Sequence, residues 1–263
     1  MFETIALSIA FIGSVIAGIW DLFTTEVPDE VPALMIALGI FNWFVYSLSS
    51  GDSTPLIVSL LAGTSLLVFG LTLYRAGHWG GADAWLLAAI GYNIPLYNNQ
   101  VFLPSFLFNF LIVGSVYMVI YAIILGVKNQ GVFSYFINDV KKSRLVSGTV
   151  LVSLIILLVF YILAYRILPI AEAVALIIFL VFFWKYAKVI EKRVFRKRVR
   201  TSQLRVGDVL EDMLWRGITA EEIKKIRRIK RFVIIKEGVR FVPAFPIALA
   251  VTFLVGNLIF LII

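Results

Sequence analysis

The chain contains no cysteine among its 263 residues. That removes disulfides, thiolate zinc sites, iron–sulfur clusters and cysteine nucleophiles together. It carries one histidine, His78, which argues against a histidine-rich metal site and against a Ser–His triad. Charge is scarce as well, at 15% of residues against about 25% in an ordinary soluble domain. The first apolar stretch, 5–20, lacks a basic residue ahead of it, carrying Glu3 instead, and no small-residue cleavage pattern follows. It is expected to be a retained span and not a removed leader.

Apolar residues are what the chain has in abundance: 61% of the total, with a mean hydropathy of +0.97. A soluble core of this length has no room for that much apolar surface, so lipid is the solvent for most of the chain. Long apolar runs fall at about 5–20, 31–48, 55–74, 84–97, 101–127, 146–165, 168–187 and 243–263. They are continuous, with Gly and Ser scattered inside, whereas barrel strands would alternate. The predicted fold is an all-α polytopic membrane protein of about eight transmembrane helices, with a small cytoplasmic α+β insertion before the last. The expected organisation is a membrane region over 1–127, a loop and additional helical hairpin over 128–187, a basic segment over 188–242 and a final span over 243–263.

Orientation follows from the basic residues. Eighteen of the 24 Lys and Arg lie between Lys185 and Arg240, and Lys128, Lys141, Lys142 and Arg144 fall between the fifth and sixth runs. A turn around Tyr165–Pro169 makes runs six and seven a hairpin, which puts both basic loops on one side, the cytoplasm; Arg166 alone breaks the rule. In the basic segment, Thr219-Ala220-Glu221-Glu222 reads as a capping box opening a helix to about Arg231, and Phe232–Ile235 as a β-prone run. Lys192–Arg200 reads first as an anchor on anionic membrane lipid and second as a substrate-docking patch. No compact basic domain accompanies it, so nucleic acid is not an expected partner.

The informative residues are the few acids at membrane edges. Asp21 ends the first run and Asp83 opens the fourth, with one complete out-and-back excursion between them. Topology therefore puts both on the same, cytoplasmic, face. Counted from their polar breaks, the first and fourth runs are both short for a hydrocarbon layer of roughly 30 Å, which draws the two acids toward the membrane boundary. Ionisable groups there are usually functional. Gly80 and Gly81, just ahead of Asp83, allow close backbone approach and dihedrals closed to other residues. Two carboxyls brought together share a proton and can activate water while protonating a departing amine. That is peptide hydrolysis without metal, thiol or imidazole, and it implies no cofactor. The blander alternative is a helix cap for Asp83 and an interfacial charge for Asp21.

Asp21-Leu22-Phe23-Thr24-Thr25-Glu26-Val27-Pro28 and Gly80-Gly81-Ala82-Asp83 resemble the two aspartate motifs of the prepilin peptidase family of GxGD aspartyl proteases, in particular its archaeal preflagellin and prepilin peptidases. Glu237–Pro246 is similar to the proline-containing start of the last helix in that branch, and Gly217–Ile223 also looks typical of it. The resemblance implies Asp21 and Asp83 as the catalytic pair. It further implies cleavage, at the cytoplasmic face of the cell membrane, of the short basic leader of type IV pilin-like or archaellin precursors. Ala82 departs from the motif's glycine; Phe23 and Trp85 stand where relatives often carry basic residues. The extra hairpin over 146–187 departs from the family's usual six spans. The bacterial relatives' cysteine-rich zinc loop is missing, which implies a peptidase without N-methylation and fits an archaeal member.

Site-shaping roles are expected for Gly80, Gly81, Ala82, Thr24, Glu26 and Pro243. Glu26 and Asp29 either attract a basic leader or pair with the basic loops. Pro243 either sets a rigid helix start or walls the site. His78 is a loop histidine with a possible tuning role. Three other readings compete: a presenilin-like protease cutting inside a transmembrane segment, a proton- or cation-coupled transporter, and a membrane scaffold.

Overall fold

A computed structural model of the chain describes residues 1–97, 100–162, 167–211 and 217–258. The chain is an all-α polytopic membrane protein with a small β insertion. The helices are α1 (Phe2–Thr24), α2 (Glu30–Ser50), α3 (Thr54–Arg75), α4 (Gly81–Asn93), α5 (Leu103–Lys128), α6 (Val132–Lys142), α7 (Arg144–Ile162), α8 (Ile167–Ile190), α9 (Ala220–Ile229) and α10 (Ala244–Val255). Short strands are β1 (Leu96–Tyr97), β2 (Gln100–Val101), β3 (Arg196–Arg200), β4 (Val209–Leu210) and β5 (Phe232–Lys236). Among the described residues six helices are long and apolar enough to cross a membrane: α1, α2, α3, α5, α7 and α8.

Four features correct the sequence expectations. First, α1 does not stop near Trp20. It runs 23 residues, about 34 Å, and ends where Thr25 turns left-handed (φ 62) with its N–H on the Asp21 carbonyl at 2.9 Å. Asp21 is therefore inside the last turn of a full-length span. Second, α4 ends at Asn93, just before Pro95, and residues 96–97 and 100–101 form a hairpin, with Leu96 opposite Val101 and Tyr97 opposite Gln100. Third, α10 is a 12-residue helix ended by Gly256 (φ 80), not a run continuous to the C-terminus. Fourth, α6 is an amphipathic helix in what read as a plain loop. The turn expected around Tyr165 and Arg166 lies outside the described residues.

The chain forms two compact units. The first comprises 1–118, 206–219 and 237–263. Its core is built around α4, in which Asp83, Ala84 and every residue from Leu86 to Asn93 are buried. Leu86, Leu87 and Ile90 pack with Phe106 and Phe110 of α5, Phe245 and Leu249 of α10, Met35 of α2 and Leu66 of α3. On α1 the inward face is Ala6, Ala10, Gly13, Ser14, Ala17, Gly18 and Asp21, while Ile12, Ile16, Ile19 and Phe23 face out. Small residues inward and large apolar ones outward is the packing logic of helices in lipid, where close backbone approach replaces hydrophobic drive.

A 13-residue helix is about 20 Å long, so the buried C-terminal carbonyls of α4 need internal partners. Trp43 Nε1 donates to the Asn93 carbonyl at 2.9 Å, and the Ser59 hydroxyl donates to that of Tyr92. The Asn93 amide donates to the carbonyls of Met35 and Ala89 at 2.9 and 2.8 Å. In α5, Asn109 ties down the end of α10 through Thr252, the Gly256 carbonyl and the Leu258 N–H.

The second unit comprises 119–205 and 220–236. Val132 of α6 is buried with Val189 and Ile190 at the end of α8, and Lys185 pairs with Asp139 at 3.0 Å. Strand β3 pairs antiparallel with β5, from Arg196 opposite Lys236 to Arg200 opposite Phe232. The helix expected after Thr219 is α9, and Arg227 holds it by donating to the carbonyls of Thr201, Ser202 and Leu204.

Candidate active site

Asp21 and Asp83 come from helices separated by the α2–α3 excursion, yet both line one cavity of about 860 Å³ in the first unit. Both are buried, at 4% and 8% exposure, in a region where most charged groups are exposed. The two carboxyls are within electrostatic reach of each other, and the Arg240 guanidinium is within reach of Asp21.

Each carboxyl is held by a backbone amide. Asp83 is the third residue of α4, and its Oδ2 accepts the N–H of Gly80 at 3.1 Å. This is the reach-back of a helix-start acid, so the capping role and the site position coincide. Asp21 Oδ2 accepts the N–H of Val242 at 3.1 Å, across 221 residues of sequence. That approach depends on Gly18, one turn before Asp21: a Cβ there would lie 3.2 Å from Pro243 Cα. Tyr117 fixes the same segment by donating its hydroxyl to the Arg240 carbonyl at 2.7 Å.

Space, not an unusual dihedral, favours glycine at position 80, whereas a Cβ on Gly81 would meet only ordinary contact with Tyr74 at 3.7 Å. Gly80 is in ordinary extended conformation (φ −75, ψ 154), and neither it nor Gly81 has a positive φ. A Cβ on Gly80 would instead sit 3.0 Å from Asp83 Oδ2. The left-handed glycine of this loop is Gly77 (φ 74). Farther in, Gly70 of α3 lets Ala84 come close enough that a Cβ would be 2.8 Å from its Cα. This seats the first turn of α4 against α3.

Of the residues singled out from sequence, Gly80, Gly81, Ala82, Glu26, Asp29, His78 and Trp85 line the cavity with the two aspartates. Thr24 and Pro243 are not among its lining residues. Thr24 closes the end of α1, its hydroxyl bonded to the carbonyls of Trp20 and Glu26 at 2.9 and 2.7 Å. Pro243 caps α10 and packs at Gly18. Phe23 is 81% exposed and does not line the cavity. Glu26 and Asp29 make no ion pair among the described residues. Sequence reading missed the aromatic wall: Trp79 meets Phe69, Phe110 and Phe241 edge-on or tilted at 6.0–6.4 Å between centroids. Trp79 stands between His78 and the two glycines, and an aromatic inside a glycine loop was its available signal. Among the described residues no group of three or more His, Cys, Asp or Glu is placed to hold a metal ion.

The arrangement therefore places two buried carboxyls, each held through one oxygen, on one cavity with acidic and aromatic residues in its lining. Comparison with known proteins bears on what such a site does. Residues 8–127, which include both aspartates, match the type IV leader peptidase family. The chain is 28% identical over 166 residues to a preflagellin peptidase of Methanocaldococcus jannaschii, an alignment covering 52% of this chain and 70% of that one. It is 26% identical over 152 residues to a preflagellin peptidase of Methanococcus voltae, covering 54% of this chain and 62% of that one. The family resemblance carried by the motifs is thus borne out. No solved structure gives a significant match.

Proposed function

We propose that this chain, whose stretch 8–127 matches the type IV leader peptidase family, is a membrane-embedded aspartyl endopeptidase. Its substrates are type IV pilin-like or archaellin precursors, from which it removes the short basic leader at the cytoplasmic face without methylating the new N-terminus. The observation that carries the reading is the meeting of two buried carboxyls, Asp21 and Asp83, from separate helices in one cavity. The names of the relatives supply the substrate class. The concentration of Lys and Arg between Lys185 and Arg240 supports the cytoplasmic assignment.

The chemistry follows from the geometry. Val242 and Gly80 each donate to Oδ2 of a carboxyl, and the reaction is assigned to the other oxygen of each. One carboxylate takes a proton from water as the water oxygen attacks the scissile carbonyl carbon. The protonated partner donates to the carbonyl oxygen, giving a neutral tetrahedral diol. The carboxyl that took the water proton passes it to the departing nitrogen while the other carboxylate takes a proton from one diol hydroxyl, so the C–N bond breaks, the new carboxyl terminus forms and the pair is again singly protonated. The pair titrates as a unit, and the proton is assigned to neither residue. A peptide must be extended to be attacked, because a helix hides its carbonyls in hydrogen bonds. Glu26 and Asp29 at the rim would meet the basic residues of the leader, and the wall of Trp79 and Phe241 the start of its apolar segment.

The test is cleavage of a purified pilin-like precursor by the protein in detergent, with product masses read directly. Cleavage just before the hydrophobic segment, with no methyl added, is the expected result. Cleavage inside the segment would replace this reading with the presenilin-like one.

A further inference from the structure

The exposed face of the antiparallel β3–β5 pair is, we propose, a contact surface for anionic lipid headgroups. Residues opposite one another in an antiparallel pair share a face. The register therefore groups Arg196, Arg198 and Arg200 of β3 with Lys236, Ile234 and Phe232 of β5. Phe232 and Ile234 are 40% and 39% exposed on that face, whereas Val199, Val233 and Ile235 on the other are less exposed. Arg198 lies over the Phe232 ring at 4.8 Å. Arg196 is paired with Glu191 at 2.8 Å, and Arg198 and Arg200 still leave the face net positive.

Position commits the face to lipid. The candidate span Ala173–Phe195, which takes in most of α8, becomes charged toward its end, at Lys185, Lys188, Glu191, Lys192 and Arg193, and β3 starts at the next residue. The strand therefore follows directly on the charged end of a membrane span, on the headgroup side of its apolar stretch. Cations interleaved with exposed Phe and Ile suit that layer: the apolar side chains enter the acyl boundary and the guanidinium groups meet phosphate. A soluble nucleic acid would use the arginines but offers no apolar layer for Ile234. The surface lies outside the cavity that holds the aspartates and does not depend on the reaction proposed for it.

The absence of native cysteine makes the test direct. Ile234→Cys in the full chain is spin-labelled and placed in nanodiscs of phosphatidylcholine alone or with phosphatidylglycerol, and label depth is read by oxygen and nickel accessibility. The label is expected at headgroup depth in the anionic discs and in water in the neutral ones, while a label at Lys197→Cys stays in water in both. Adding Arg196→Gln, Arg198→Gln and Arg200→Gln should lower the headgroup-bound population on the order of a hundredfold, at the usual contribution of a basic residue near an anionic surface. Should that variant fail to fold, raised salt with the arginines intact should release the label. A label in water in both discs, or bound regardless of salt and arginines, overturns the proposal. So does a label whose environment changes with added oligonucleotide and not with lipid.

Discussion

Replacing Gly18 with alanine should slow catalysis without touching either aspartate. The new Cβ would lie 3.2 Å from Pro243 Cα, which is backbone and has no flexible end to move aside. Ordinary carbon–carbon contact begins near 3.5 Å, so the segment must retreat by roughly 0.3 Å or more. Val242, the neighbour of Pro243, holds Asp21 through a 3.1 Å hydrogen bond, and the same retreat takes it toward the outer limit of such a bond. A hydrogen bond to a charged group contributes about 1.5–3 kcal/mol. Partial loss should reduce kcat roughly 3- to 10-fold with KM little changed, and Gly18→Val should do more. The assay is initial-rate cleavage of a pilin-like precursor, alongside thermal unfolding of the same preparations. Gly63→Ala is the control, because its Cβ would strike the Tyr92 ring near the far end of α4. It should cost about 1–3 kcal/mol of stability by overpacking, while the folded fraction cleaves at the normal rate. Full kcat in well-folded Gly18→Ala protein would refute the view that Pro243 and Val242 set the position of Asp21.

Glu26→Gln and Asp29→Asn should each raise KM for a precursor with a basic leader about 3- to 10-fold, an effect that shrinks with added salt. A neutral-leader precursor should be indifferent, and equal losses on both would assign the acids a structural job. Asn109→Leu removes the partners of the Gly256 carbonyl and the Leu258 N–H at the end of α10. It should lower stability by about 1–3 kcal/mol in a denaturant titration in detergent, and an unchanged midpoint would contradict the tether.

Much of the fold was legible because lipid imposes simple rules. All eight apolar runs correspond to helices, and the shortness of the fourth was legible in the interval from Asp83 to Tyr97, although the helix itself ends earlier, at Asn93. Other elements left little trace. Strand β3 is Arg-Lys-Arg-Val-Arg, whose composition signals charge more than sheet. Helix α6 is amphipathic and short, so neither hydropathy nor length marks it. The end of α1 was misplaced because Asp21 broke the apolar run without breaking the helix. In the site, the acids stood out because buried charge is rare in such a chain. The groups that hold them did not. Backbone amides of Val242 and Gly80 carry no sequence signal, and Gly18 is one small residue among several on its face.

The central claim is that Asp21 and Asp83 act together on a peptide bond. Its most direct test is precursor cleavage by the protein carrying Asp21→Asn or Asp83→Asn, compared with the unaltered chain. Each substitution keeps the shape of the side chain and its backbone hydrogen bond. The account predicts at least a thousandfold loss in either variant, as expected when one member of a unit is removed, with expression, membrane insertion and thermal unfolding unchanged. Undiminished cleavage by either folded variant would contradict it.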